Sequence, residues 1–567
     1  MKTFEEATKC SEKNFKDNFI IVNEELILTT NDVLIVRLVT TALVKNFTIG
    51  ICINGILIYR ILIRENKAKV LHQGIEKQLH LKKYSNRELS LIFCVLVEER
   101  KWIVHVSING LLVHKGLLAS MNNSSKLKIT IFVRTINSRE SPTFDVNIWH
   151  NSNLKRKLQH NHLKHAKITA YPAYVLKIGI ADATCVYVPY LHKLFFGGGY
   201  GPTSIKVPLS NWFVYDLEKN DVYTLKPMPL KVWGVTSVFN PLDNKIYVFG
   251  GSTIGKRDSN IYVQIYDIEN NKWSVEKGPF SIGRGAMAAF DPLFKKIHII
   301  SGGKLDDVVH VIFDPINNEW KEKKIAKEIY RFIFNNKFNG RRWASLTFYD
   351  GKLWLFGGRI DSRIILKFSN EVFIYDIIND SWKKHQKMPT KALGMIREFG
   401  WLNGKFILNN YQYPYGNFHS DVFSYDPEKD VWEHLGYGLF PSDGCCGYID
   451  KNGVIYIVGG RDNVFNPVRA LPIIEARIIN EPKIVVFSSY SDTYGKVGTP
   501  IHIKYLDENN EPLSKRELII FRNGTEEETL LTNENGYAKF IPQREGIYFI
   551  YDEDRRVKSN KMVVVSF

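Results

Sequence analysis

The sequence predicts an all-β protein: a ring of repeated four-stranded sheets, with one β-sandwich ahead of it and another behind. Three observations lead there. A short apolar strand ending in glycines, such as "KIYVFGG" (Lys245 to Gly251), recurs through the middle of the chain at near-constant spacing. In step with it recurs an aromatic–Asp pair followed, after a polar turn, by Trp. On both sides of this array, apolar and polar residues alternate as they do in half-buried strands.

Residues 1–150 contain runs such as "NDVLIVRLV", "NFTIGICING" and "KLKITIFVRT". In "KWIVHVSINGLLVHKG", Lys101 to Gly116, Asn-Gly stands between two strands as the preferred two-residue hairpin turn. "TFDVNIWHN" supplies a closing strand. The pattern resembles the laminin-G or concanavalin-like sandwich of many carbohydrate-binding modules. That resemblance implies two packed sheets and raises sugar binding as an expectation, although no acidic calcium-site string accompanies it. Residues 151–167 follow as a basic linker in which His160, His162 and His165 have no Cys or carboxylate nearby to complete a metal site.

The repeats occupy residues 168–480. Strand-plus-glycine copies begin at Lys193, Lys245, Lys296, Lys352, Lys405 and Val454. They place Gly197-Gly198, Gly250-Gly251, Gly302-Gly303, Gly357-Gly358 and Gly459-Gly460 at strand ends, and Asn409-Asn410 in the fifth copy. Glycine there permits close backbone approach and dihedrals that a side chain forbids; Asn is the next most tolerant residue. The second string places Trp273, Trp320, Trp382 and Trp432 after Tyr266, Phe313, Tyr375 and Tyr425, whereas the first copy has Tyr223 in place of Trp. Each unit of about 50 residues reads as four strands, A to D, and one such sheet cannot bury both its faces alone. The copies must pack side by side around an axis, which is a β-propeller. Over this region the chain resembles the kelch repeat family. The sixth copy lacks an outer strand, which "ITAYPAYVLKIG" before the first copy is placed to supply. Six blades follow, or seven if "EPKIVVFSS" contributes to another sheet. Residues 481–567, with turn signals at "DENN" and "NENG", resemble bacterial immunoglobulin-like domains, whose usual role is spacer or adhesive support.

The 567 residues carry a formal charge of +17. Residues 1–165 hold 25 Lys and Arg against 14 Asp and Glu, and residues 481–567 hold 12 against 14. A basic balance favours anionic partners, or simply a soluble surface. The six cysteines are scattered without CxxC spacing, which predicts reduced thiols. The N-terminus has no signal-peptide pattern, and "FTIGICINGILIYRILI" is interrupted by Asn54, Gly55 and Arg60, so no membrane span and a cytoplasmic location are expected.

A sandwich, a kelch-like propeller and an Ig-like domain in that order also describe copper-radical oxidases such as galactose oxidase. The resemblance implies a Cys–Tyr crosslink, an axial Tyr beside a His, and a His from the last domain. Cys446 and His502 occupy suggestive places, but no Tyr-His pair stands in the strand A approaches. No nucleophile elbow, P-loop, HExxH or dinucleotide fingerprint is present. The expectation is a protein without enzymatic activity, cofactor or metal.

Strand order also says which loops share a face. In an antiparallel meander the D-to-A and B-to-C connections emerge together. The first kind carries Lys231, Trp233, Arg284, Arg341, Arg342 and Arg397. The second carries Lys304, Arg359 and Arg461, with Tyr411, Tyr413 and Tyr415 in the fifth copy. Guanidinium forks and aromatic anchors around a channel mouth suit an acidic protein segment or an anionic glycan. A competing reading pairs the arginines with Glu398, Asp361 and Asp462 to hold the ring together. Nucleic acid is not favoured, because the basic residues form no stripe. The function expected is a binding scaffold. The alternatives are a carbohydrate-binding or adhesive protein acting through the N-terminal sandwich, and a galactose-oxidase-like relative that lacks the copper site.

Overall fold

The structure is a computed structural model. It describes the strands of residues 19–150, and residues 167–566 apart from 202–206, 254–258, 303–307, 324–338, 362–365, 390–399, 411–419, 440–442 and 463–468. His160, His162 and His165 lie outside the described residues. The chain divides into two compact units, residues 1–166 with 439–441, and the rest of the chain from 167 on.

In the first unit a six-stranded and a five-stranded antiparallel sheet share one apolar core. Leu34, Val36 and Leu38 face inward at alternate positions of one sheet, as do Ile49, Ile51 and Tyr59, Ile61 of the other. Tyr59 and Phe93 meet edge to face across the core, with centroids 6.3 Å apart. The apolar run that interrupts itself at Asn54-Gly55 is a hairpin, Asn46–Ile53 against Ile56–Arg64. Among the described residues no helix is long and apolar enough to cross a membrane. Cys94, Cys185, Cys445 and Cys446 are buried free thiols. Cys52 instead is disulfide-bonded, which corrects the expectation of reduced thiols throughout; scattered spacing carries no sign of such a pairing.

In the second unit, six four-stranded antiparallel sheets form the β-propeller. The inner strands are Thr184–Val188, Thr236–Asn240, Met287–Asp291, Ser345–Tyr349, Gly400–Leu402 and Asp443–Ile449. The sixth sheet takes its outermost strand, Ile168–Ile180, from the beginning of the region: Ile168 pairs with Ile479 and Val175 with Ile473. One sheet therefore contains both ends of the repeat array, and the circle is fastened by main-chain hydrogen bonds. "EPKIVVFSS" adds no further blade; its Lys483–Phe487 strand pairs with Ile501–Leu506 of the terminal module.

The approaches to neighbouring inner strands are also tied directly. The Asp182 N–H donates to the Gly444 carbonyl (2.7 Å), Gly234 to Asp182 (2.9 Å), Gly285 to Gly234 (2.7 Å) and Trp343 to Gly285 (2.9 Å). All five residues are left-handed, with φ between 50° and 71°. Between the fourth and fifth blades Tyr349 stacks on Trp401 at 3.5 Å, and Leu402 shares an apolar cluster with Ile449 and Ile455 of the sixth.

The strand-end glycines behave as their chemistry requires. At Gly251 (φ 85°) an added Cβ would lie 2.5 Å from a Val235 methyl. In the first blade the left-handed pair is Gly198-Gly199; Gly197 is the last strand residue, opposite Trp212, a one-residue shift from the sequence alignment. In the fifth blade the strand continues through Asn409 and Asn410, paired with Val422 and Asp421.

The aromatic–Asp…Trp string is a turn lock. Tyr215, Tyr266, Tyr375 and Tyr425 donate their hydroxyls to Asn220, Asn271, Asp380 and Asp430 at 2.5–2.9 Å. Those acceptors end the C-to-D turns in left-handed conformation, φ 48–57°. The Asp of each pair accepts main-chain N–H groups of the same turn, as Asp267 does from Asn270 (2.9 Å) and Asp376 from Asn379 (2.9 Å). Trp then packs against the aromatic ring, 4.4–5.1 Å away, and reaches the preceding blade: Trp273 meets Trp212, Trp320 meets Phe249, Trp382 meets His310 and Trp432 meets Phe356. Each such pair is worth about 1 kcal/mol beyond the area it buries.

The terminal module packs two sheets around Ile484, Ile501, Tyr505, Ile520 and Ile550. It docks on the A-to-B and C-to-D turns of the propeller. Lys561 bridges Asp350 (3.0 Å) and Glu428 (3.3 Å), the Asn403 amide donates to the Pro482 carbonyl (2.8 Å), and Lys504 donates to Asn452 (2.6 Å). Tyr494, Val563 and Val565 enter the apolar cluster that contains Phe290 and Phe348.

Two predictions follow from the turn lock. The third blade has Phe313 where the others have Tyr, yet Asn318 already holds the left-handed acceptor position. Phe313→Tyr is expected to stabilise the propeller by up to about 1 kcal/mol, and Tyr375→Phe to destabilise it by a similar amount, read from its calorimetric transition. Burial alone would raise the Asp314 carboxyl, but Lys296, the Asn317 side chain and turn N–H groups hold it down to about 2. Because the folded value lies below the unfolded one, this stabilisation is complete above about pH 4 and disappears towards pH 2. Asp314→Asn should therefore remove about 2 kcal/mol at neutral pH and flatten the acid limb of the stability curve.

Candidate functional site

The D-to-A approaches and B-to-C loops do meet on one face. Trp233 pairs with Ser252, Leu209 with Val232, and Ala181 with Tyr200 in isolated bridges. Above the fourth blade, Asn339–Arg342, Arg359–Asp361 and Leu366–Phe368 form a small sheet with Arg342 opposite Arg359. This is the end of the channel where the left-handed ring lies.

Across that ring runs a strip of alternating guanidinium and aromatic groups. The Arg461 Nη1 donates to the Tyr200 hydroxyl (3.2 Å). Tyr200 meets Trp233 edge to face, with centroids 5.9 Å apart. The Arg284 guanidinium then lies over both Trp233 (4.9 Å to the ring centroid) and Trp343 (5.7 Å). The strip thus draws residues from blade six, then one, two, three and four. Local backbone makes it possible: a Cβ at Gly234 would lie 2.9 Å from that of Arg284, and one at Gly285 would strike the Trp343 ring at 2.8 Å. Trp343 itself is left-handed at φ 50°, a conformation that a bulky residue adopts only when its surroundings hold it there.

Lys231 is exposed on the edge of this face, Arg284 and Arg461 are half-buried, and Trp233 is buried with its ring in the strip. Arg342 is only 2% exposed, so it is buried rather than presented to a partner. Arg341 and Arg359 are placed by their backbone in the small sheet. Lys304, Arg397, Tyr411, Tyr413 and Tyr415 lie outside the described residues. Sequence reasoning overlooked Tyr200 and Trp343. The signal for Trp343 was alignment with Gly234 and Gly285 at one position of the repeat; Tyr200 follows directly on the glycine run.

The opposite end of the channel receives the loop after Phe487. Tyr494 packs on Phe290, with centroids 5.5 Å apart. Asp492 lines the channel beside Tyr448, and burial pushes its carboxyl up to about 6 against hydrogen bonds from its own N–H, Tyr448 and Ser491. Cys446 is fully buried on the sixth inner strand, and His502 bonds Tyr537 (2.6 Å) within the terminal module. Among the described residues no group of three or more His, Cys, Asp and Glu side chains converges as a metal site.

The kelch motif is matched at residues 235–279 and again at 341–389. N-acetylneuraminate epimerase 1 of Escherichia coli O6:H1 is 28% identical over 154 residues, covering 21% of this chain and 41% of that protein. A putative F-box/kelch-repeat protein of Arabidopsis thaliana is 25% identical over 183 residues, covering 32% of this chain and 39% of that one. The chain thus spans about two fifths of the length of these curated relatives. The solved structure of YjhT matches 55% of this chain and 96% of its own at 14% identity, with a TM-score of 0.40.

A guanidinium held over two indoles contributes about 1–2 kcal/mol. Arg284→Ala is expected to cost that much in the propeller's unfolding transition and to shift the emission of Trp233 and Trp343. Arg342→Glu, which inverts a buried charge, should cost about 3 kcal/mol or more.

Proposed function

We propose that this chain is a binding scaffold whose propeller takes an acidic segment of a protein partner at the channel end opposite the terminal module. The kelch matches and the F-box/kelch relative support protein binding in general. The observation that carries the finer reading is the Arg461–Tyr200–Trp233–Arg284–Trp343 strip. Planar guanidinium groups bind carboxylates in bidentate fashion, and aromatic rings beside them exclude water and raise the value of each contact. An acidic segment with an aromatic or apolar residue next to its carboxylate fits this alternation. The net charge of +17 adds long-range attraction that weakens with salt.

The similarity to an epimerase of N-acetylneuraminate favours a second reading, in which the same arginines receive a sugar carboxylate and the chain acts on it. The two readings separate in one experiment. Full-length protein is immobilised, partners are captured from a native lysate and identified by mass spectrometry, and N-acetylneuraminate is incubated with the free protein and followed by NMR. The scaffold reading expects one acidic partner, lost on Arg284→Glu with Arg461→Glu and diminished at high salt, and no change in the sugar. Capture unaffected by the double variant, in protein that melts like wild type, would overturn it.

A further inference from the structure

The third blade keeps three polar side chains in its core, on the side that meets the fourth. Asp291, which ends the inner strand, His298 and His310 are 0%, 2% and 1% exposed. At the His298 position the second, fourth and fifth blades have Tyr247, Trp354 and Ile407, and at the His310 position Val263, Val372 and Val422. The three polar groups form a chain: Asp291 Oδ2 lies 3.4 Å from His298 Nε2, and His298 Nδ1 lies 2.9 Å from His310 Nε2. The His310 ring then packs on Tyr375 and Trp382 of the fourth blade, with centroids 4.9 and 5.8 Å away.

This geometry limits the protons the chain can hold. A carboxylate only accepts: Asp291 Oδ1 takes the Leu293 N–H (2.8 Å), and Oδ2 takes the proton on His298 Nε2. His298 Nδ1 is then an acceptor, and His310 donates to it through Nε2. One added proton, on whichever ring it settles, leaves His310 with a proton on Nδ1, and that nitrogen is buried without a partner. An unaccepted donor and a positive charge in an apolar core are both costly. The other charges on this side do not favour a cation. Asp314 is paired with Lys296, Asp380 with Lys323 and Glu371 with Lys384. Lys321 is a second cation near Asp380, and Tyr375 gives its hydroxyl to the same carboxylate. Burial first, then the charges of His298 and Lys323, hold the His310 imidazole well below its usual range.

We propose that the Asp291–His298–His310 chain is a pH-sensitive switch, which fastens the third blade to the fourth when neutral and loosens that boundary when protonated, at about pH 6 and below. The boundary reaches the mouth, since Arg284 stands before the third inner strand and Trp343, over which it lies, before the fourth. Acid thus draws apart two members of the strip. The switch does not rest on the acidic-partner reading, because it concerns how the blades meet and not what they hold.

The sign follows from the opened state, where His310 regains a pKa of about 6.5. That lies above the folded value, so the stabilisation is complete above about pH 7 and is lost as the pH falls. The test is hydrogen exchange of the full-length protein at about pH 7.5 and about pH 5, read as protection factors, which remove the pH dependence of the exchange chemistry itself. Strands Lys296–Gly302 and Val308–Asp314 should lose protection about thirtyfold, the shift for one proton taken up on opening. Strands Lys245–Phe249 and Ser259–Asp267 of the second blade should lose markedly less. His298→Tyr with His310→Val, which gives the third blade the residues of the second, should remove the excess. Loss no greater in the third blade than in the second, or unchanged in the double variant, would overturn the proposal. Should the variant fail to fold, the comparison of the two blades in wild-type protein decides alone.

Discussion

The propeller depends on one geometric constraint: in five blades the chain turns left-handed at the same point, just where the inner strand begins, so that an N–H there reaches a carbonyl of the preceding blade. The relay Gly444, Asp182, Gly234, Gly285, Trp343 joins five blades through four such bonds. Buried main-chain groups that fail to pair are costly, so this relay closes the inner edges that separate sheets would leave open. It also sets the spacing of the blades. The aromatic contacts between neighbours, from Trp273 against Trp212 to Trp382 against His310, fit the separation that the relay fixes.

The same constraint builds the mouth. Three of the five relay positions are glycine, and the missing side chains are what allow Arg284 and Trp343 to sit over the ring. Where the position is Trp343 instead, the fold tolerates an unfavourable φ of 50° and gains a ring under a guanidinium. Local cost and local contact thus stand at one residue.

Much of the fold was legible because the turn lock writes its chemistry into the sequence. Tyr needs an acceptor, the acceptor must be Asn or Asp to turn left-handed, and Trp must follow at fixed distance. The borrowed outer strand of the sixth blade was legible too, as an absence at one end of the array and a surplus at the other. The relay was not: Asp, Gly and Trp share no side-chain property, only a backbone state, and a single sequence does not display φ. The continuation of the fifth strand through Asn409 is hidden for a similar reason, since it is decided by its pairing with Val422 rather than by local sequence. The face was legible as far as topology determined it. Topology said which loops share an end, but not that Arg342 is buried while Arg284 is half-exposed.

Why the terminal module docks where it does follows from what the ring leaves unburied. Towards the A-to-B turns the inner strands carry large apolar residues such as Phe290 and Phe348, and strands arranged around an axis leave those rings without cover. Tyr494, Val563 and Val565 cover them, and full burial of side chains of this size is worth about 2 kcal/mol each. The ion pairs of Lys561 with Asp350 and Glu428, at 22% exposure for the lysine, add direction more than energy. An apolar contact at the axis and a polar one at the rim constrain different rotations of the module. Together they hold the loop that carries Asp492 in the channel while leaving the opposite end of the propeller clear of this module.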